Sequence, residues 1–143
     1  MIYIVQSKLT LEETWKHFTV PEYLNKWLSK SAEIELKKRG NISLFIDDET
    51  GHNTQGCKII ELEEYKRIVF FWKGPEKFEI TMNEFDDSWT RIAINLEDSI
   101  PIQVHIEHYG WKSSEDWQIA KSWHEKEFWP SKITKLELLL NEP

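Results

Sequence analysis

Five histidines are the residues of this sequence best suited to acid–base or metal chemistry, and they stand at His17, His52, His105, His108 and His124. None of them has the spacing of a His-Glu-x-x-His zinc motif. The sequence also lacks a glycine-rich phosphate loop, a Gly-x-Ser-x-Gly nucleophile elbow and a pair of redox cysteines. We therefore expect no catalytic residue in a local motif, no metal site and no cofactor.

His108 is the histidine with the most informative surroundings. It continues an alternating run with Ile102, Val104 and Ile106, so a strand would direct all four side chains to one face. There it could orient a ligand or transfer a proton in a mostly apolar pocket. The alternative is a core histidine that bonds to a backbone carbonyl, or one at a strand end in partial contact with water.

An acidic loop offers a second candidate site, with Asp47, Asp48, Glu49 and His52 close together. It lacks the alternation and the glycine of an EF-hand loop, and acidic hairpin tips are ordinarily solvated. We interpret it as a turn between strands.

Eight tryptophans in one small chain require an explanation. Core packing accounts for those on helical apolar faces, while others could line a cavity or an exposed patch for a partner. The candidate lining residues of a ligand pocket are large apolar side chains and one histidine: Trp27, Phe70, Trp72, Met82, His108, Trp129 and Ile133.

Two periodicities predict the elements that position these residues. Residues 2–8 predict a strand, and two short helices come next, one capped by Thr10 and one begun by Pro21. Residues 32–106 alternate with a period of two and have turn residues at hairpin spacing, which predicts an antiparallel meander that includes a strand at 78–82. Together with the strand at 2–8, the sheet should have about six to seven strands. Residues 68–72 are apolar on both faces, which indicates a strand that is covered on both sides or that faces a second copy.

The last third predicts a long helix with Ser113 or Ser114 as its N-cap. Its apolar residues fall on two different faces, and the change from one face to the other occurs next to Pro130. A straight helix could not bury both faces, and a proline inside a helix removes a backbone hydrogen bond. We predict a kink or break at Pro130, with only the second face packed against the sheet.

Length and charge limit the class of protein. A chain of 143 residues with 40% hydrophobic residues predicts a single globular domain over 1–143. Its net charge of −7 argues against a nucleic-acid partner, because such binding depends on basic residues. No apolar stretch is long enough to span a membrane, the start lacks the features of a secretory signal, and the lone Cys57 suits a reducing compartment. We expect a cytoplasmic protein, either monomer or homodimer.

Four stretches carry a resemblance to a known family: Glu13 to Trp27 (ETWKHFTVPEYLNKW), Arg67 to Trp72 (RIVFFW), His108 to Trp111 (HYGW), and Trp129 followed by Ile133 and Leu136. They resemble the activators of the ninety-kilodalton heat-shock protein ATPase, within the START-like, birch-pollen-allergen-like (SRPBCC) superfamily. Phe128 stands where that family usually has glycine. The resemblance implies an α+β helix-grip fold, in which a curved antiparallel sheet wraps around the C-terminal helix.

The resemblance also implies a function. A helix laid across a curved sheet encloses a space, and we predict a binding module for an apolar, aromatic or lipid-like small molecule. A protein-interaction module of chaperone-cofactor type is the first alternative. A cofactor-independent cyclase or hydrolase with His108 as acid or base is the second.

Overall fold

The computed structural model describes residues 1–142, and its elements occur in the predicted order except within 47–56 and 76–83. The N-terminal part contains β1 (Ile2–Ser7), α1 (Leu11–Thr19) and α2 (Pro21–Leu24). The meander contains β2 (Ser31–Ile34), β3 (Ile42–Asp47), β4 (His52–Asn53), β5 (Ile59–Glu63), β6 (Arg67–Trp72), β7 (Thr90–Glu97) and β8 (Ile102–Tyr109). The C-terminal helix consists of α3 (Glu115–Trp123), a π-helical stretch (His124–Phe128) and α4 (Trp129–Asn141).

The strands form one curved surface made of two antiparallel groups. One group has the order β1-β8-β7-β6-β5 and the other β2-β3-β4. The backbone N–H of Ile42 donates to the carbonyl of Cys57 at 3.0 Å, and that of Ile59 to Gly40 at 2.9 Å, which joins β3 to β5. The helix-grip prediction is confirmed. The described residues hold eight strands rather than six or seven, because the loop predicted at 47–56 contributes β4.

Strand β6 is covered within a single chain. Ile68, Val69, Phe70 and Trp72 are all buried, while Phe71 is half-buried against Trp89. The apolar run at 68–72 therefore lies between β5 and β7 with both faces largely covered, as one of the two sequence interpretations predicted. A second copy of the chain is not needed to cover it.

The prediction of a strand at 78–82 is wrong, because this segment is helical. It consists of a short 3₁₀ turn and a π-helical stretch, which bury Met82 and leave Ile80 84% exposed. The Asn83 side chain closes the segment by bonding to both the N–H and the carbonyl of Gly74, at 2.8 and 2.7 Å. A Cβ atom at Gly74 would lie only 2.6 Å from the Met82 sulfur, so glycine permits this close packing.

The prediction that only the second face of the C-terminal helix packs against the sheet is also wrong, since both apolar faces are buried. The residues concerned are Trp117, Ala120, His124 and Phe128 on the first face, and Trp129, Ile133, Leu136 and Leu140 on the second. The irregularity predicted at Pro130 lies in the turn before it, where the N–H of Trp129 donates to the carbonyl of His124, five residues back. The extra residue in this turn rotates the rest of the helix by about 100°, which directs the second face at the sheet as well.

Membrane insertion through a helix has no support in the described part of the chain, because none of its helices is both long and apolar enough to span a bilayer.

Candidate functional site

Aromatic rings and three histidines fill the space between the sheet and the C-terminal helix. We call them the aromatic–histidine cluster: His52, Trp72, His108, Trp111, Trp123, His124, Phe128 and Trp129. Neighbouring ring centroids lie 4.4 to 6.2 Å apart, with most pairs edge-on or tilted, as aromatic pairs prefer. The cluster joins β4, β6 and β8 to the helix.

Both ring nitrogens of His108 are occupied by protein groups. The indole N–H of Trp129 donates to Nδ1 at 3.0 Å, and Nε2 lies 2.8 Å from the hydroxyl of Thr90. An indole nitrogen can only donate, so Nδ1 is the unprotonated nitrogen and Nε2–H donates to the Thr90 oxygen. His108 is thus a core histidine, held by side chains rather than by a backbone carbonyl.

His124 has the opposite tautomer for the same reason. The indole N–H of Trp72 donates to its Nε2 at 3.3 Å, which leaves Nδ1–H to donate to the carbonyl of Ala120 at 2.8 Å. The i−4 carbonyl and the indole fix the ring on both sides. Neither His108 nor His124 has a nitrogen left for a ligand.

Burial keeps these histidines neutral. Desolvation, followed by the nearby His124, lowers the pKa of His108 well below its usual value. Desolvation also lowers the pKa of His124 to about 4, against a smaller opposing effect of the Ala120 carbonyl. A protonated ring would also direct a second N–H at an indole N–H, which cannot accept. This arrangement suits packing, not proton transfer at neutral pH.

An open cleft of about 270 Å³ borders the cluster between the β3–β4 hairpin and the C-terminal helix. We call it the hairpin–helix cleft. Trp123 and Phe128 provide aromatic surface, and Ile46 lies on the hairpin side. Polar and charged side chains complete the lining: Lys30, Asp47, Thr50, His52, Glu127, Ser131 and Lys132.

His52 connects this cleft to the cluster. Its side chain is only 2% exposed, and its ring lies 5.2 Å from those of both Trp72 and Phe128. The turn before it places Gly51 at φ +62°, where a Cβ atom would lie 2.9 Å from the Glu76 carboxylate. The glycine lets the hairpin tip pack closely and directs the next residue inward.

The structure brings together some of the seven predicted lining residues. Trp72, His108 and Trp129 are in mutual contact, with ring centroids 5.9 Å apart. Phe70 is buried two residues before Trp72 on the same strand, and Ile133 is buried one turn after Trp129.

The remaining two predicted residues lie in other packing contacts. Met82 is buried against Gly74. Trp27 is packed edge-on against Phe18 and donates its indole N–H to the carbonyl of His17. None of the seven predicted residues lines the hairpin–helix cleft. Their ligand-binding role stays a prediction.

Sequence reasoning missed His52, His124 and Phe128 as members of the site. His52 belongs to a loop whose composition is typical of a solvated turn, and the helical period places His124 on an apolar face without indicating its hydrogen bonds. The sequence around Gly51 offers no signal that separates an inward-facing hairpin from a solvated one, because the burial of His52 and Thr54 follows from packing in the folded chain.

Metal binding finds no support among residues 1–142, in which no group of three or more histidine, cysteine or acidic side chains could hold an ion. In the cluster, His108 and His124 have no free nitrogen, and one nitrogen of His52 bonds to a backbone carbonyl.

Comparisons with known proteins agree with this architecture. The family model for "Activator of Hsp90 ATPase homolog 1-like protein" matches residues 8–140. No curated protein matches the sequence.

Three solved structures illustrate the shared fold. An Hsp90 activator from Plasmodium falciparum is 19% identical with a TM-score of 0.73, covering 100% of this chain and 96% of its own. The Aha1 dimer from Colwellia psychrerythraea is 18% identical with a TM-score of 0.71, and the match covers 99% of this chain and 96% of the Aha1 chain. CalU16 from Micromonospora echinospora is 16% identical with a TM-score of 0.68, and the match covers 98% of this chain and 73% of the CalU16 chain. At these identities the likeness shows the fold alone.

Proposed function

This chain belongs to the family of activator of Hsp90 ATPase homolog 1-like proteins, and on that premise we propose that it is a binding module for a small apolar or aromatic molecule. The hairpin–helix cleft is the observation that carries the proposal. Its volume of about 270 Å³ lies just below the usual range of small-molecule pockets, ~300–1,000 Å³, and corresponds to a ligand of one or two rings.

The walls of the cleft support this ligand class. Trp123 and Phe128 are stacked on one another with centroids 5.8 Å apart, and each is in contact with His52. Such flat, rigid rings bind aromatic surfaces with little loss of conformational freedom. Lys77 lies 4.7 Å from the Trp123 ring and helps to hold it in place.

The proposal treats residues 1–143 as one START-like domain. The family match over 8–140 and a single connected core support this view. We place the protein in the cytoplasm, where a free thiol such as the buried Cys57 is stable. Both a monomer and a homodimer remain proposed states.

A two-ring aromatic probe tests the proposal. We expect 1-methoxynaphthalene to bind saturably and to shift the amide NMR signals of residues around the cleft. Replacing Trp123→Ala removes one aromatic wall and should weaken binding about fivefold, since an aromatic contact contributes about 1 kcal/mol.

Trp89→Ala is the matched control, because Trp89 is packed against Phe71 and does not line the cleft. This variant should bind the probe as the unmodified chain does. An absence of saturable binding in the unmodified chain would contradict the proposed function.

A second candidate function is contact with an Hsp90-type chaperone. The family and the likeness to the P. falciparum Hsp90 activator favour it. Ile80 and Phe85 are 84% and 64% exposed and are available for a protein contact. If this candidate holds, the chain should raise the ATPase rate of the chaperone, and the double variant Ile80→Ser, Phe85→Ser should raise it less. An unchanged ATPase rate would remove this candidate.

A further inference from the structure

The hydrogen bonding of His52 differs from that of the other two histidines in the cluster. Its Nε2 lies 2.9 Å from the carbonyl oxygen of Lys73. A carbonyl oxygen can only accept, so Nε2 carries the proton and donates. The ring is neutral, because burial and the nearby His124 lower the pKa of His52 to about 3. Nδ1 therefore presents a lone pair.

That lone pair has no hydrogen-bond partner among residues 1–142, whereas His108 and His124 each use both nitrogens. In the same part of the chain, every fully buried side-chain nitrogen or oxygen has a partner. Because Nδ1 has no partner, it is not one of these fully buried atoms. It is therefore within reach of solvent, although His52 as a whole is only 2% exposed. The hairpin–helix cleft is the open space that His52 lines.

We propose that the hairpin–helix cleft selects aromatic ligands that carry a hydroxyl group, such as a phenol or a naphthol, and that His52 Nδ1 accepts the hydrogen bond of that hydroxyl. The inference rests on the proposed function and specifies its ligand class. A ligand carbonyl or ether at this point would direct a lone pair at a lone pair and gain nothing from His52.

The neighbouring side chains fit a phenolic ligand. Trp123 and Phe128 present the aromatic surface that the rings of such a molecule would contact. Lys132 is half-buried at the same cleft, with its amino group 5.6 Å from the Phe128 ring. A cation there favours the partial negative charge on an oxygen whose proton is shared with His52.

A pair of probes that differ only at the oxygen tests the inference. We expect 1-naphthol to bind about fivefold more tightly than 1-methoxynaphthalene. It gains one net hydrogen bond, and the typical contribution of such a bond corresponds to about this ratio of affinities. In the His52→Phe variant the two affinities should become equal, while 1-methoxynaphthalene still binds. Thr50→Val is the control, because it removes another hydroxyl of the cleft lining and should leave the preference unchanged.

Side-chain ¹⁵N NMR of the unmodified chain provides a second measurement that needs no variant. The Nδ1 resonance of His52 should shift on addition of 1-naphthol and remain in place with 1-methoxynaphthalene. If both probes bind equally, or if the preference survives in His52→Phe, the inference is overturned and the proposed function stands. If neither probe binds, both are overturned.

Discussion

Lowering the pH from 7.5 to 5 is expected to reduce the free energy of unfolding by about 6 kcal/mol. His52, His108 and His124 are all buried in neutral form, with the pKa values of His52 and His124 lowered to about 3 and about 4 and that of His108 lowered well below the usual value. In the unfolded chain each titrates near pH 6.5. At these three rings the unfolded state therefore binds up to three more protons in this range, and each contributes about 2 kcal/mol. His17, whose pKa burial also lowers, adds to the loss in the same direction.

The sign of the effect is set by the direction of the shifts. A lowered pKa in the folded state means that stability is present in full above pH 6.5 and is lost as the pH falls below it. Native proteins are stable by about 5–15 kcal/mol, so a loss of this size brings the chain close to unfolding at pH 5. The range ends at pH 5, above the pH at which most carboxyl groups titrate.

Urea unfolding followed by tryptophan fluorescence at several pH values measures this effect. Below pH 6 the slope should approach about 4 kcal/mol per pH unit, which corresponds to three protons. In His124→Gln it should fall by about one third, because one titrating ring is removed. A free energy of unfolding that is constant between pH 7.5 and 5.5 would contradict the prediction.

His108→Ala is expected to cost about 4 kcal/mol at pH 7.5. The ring is completely buried and bonds to Thr90 and Trp129. Its removal leaves a cavity and deprives the Trp129 indole N–H of its acceptor. His108→Asn keeps an acceptor near the position of Nδ1, and we expect it to recover about half of the loss.

His105→Ala is the control for this experiment, because His105 is on the same strand but faces outward and pairs with Glu97 at 3.6 Å. Its cost should stay within about 0.5 kcal/mol. Equal costs for the two alanine variants would show that the His108 contacts do not stabilise the fold. The cyclase or hydrolase alternative, in contrast, requires His108→Ala to remain stable while it loses turnover.

The sequence predicts the fold where local signals and packing agree. The Thr10 hydroxyl accepts a hydrogen bond from the N–H of Glu13 at 3.1 Å, and the Ser114 hydroxyl accepts one from the N–H of Trp117. Capping residues therefore explain where α1 and α3 begin. The alternating runs of β7 and β8 likewise pair in register, with Ile94 opposite Ile106.

The sequence is less informative where distant contacts decide the structure. Residues 78–82 alternate like a strand, yet the hydrogen bonds between Asn83 and Gly74 hold this segment in a helical conformation. The phase of His108 in β8 is enough to predict that it faces inward. His52 and His124 could not be placed in the site, because their burial depends on a hairpin and a helix that meet only in the folded chain.

The π-helical stretch at His124–Phe128 also bears on how this chain is compared with others. Deleting one residue there would restore regular α-helical bonding but would turn the remainder of the helix by about 100° and take Trp129 away from His108. Relatives whose final helix lacks this irregularity therefore require an alignment gap inside the helix, not in a loop. An ungapped alignment would assign the wrong inward-facing residues on one side of that point.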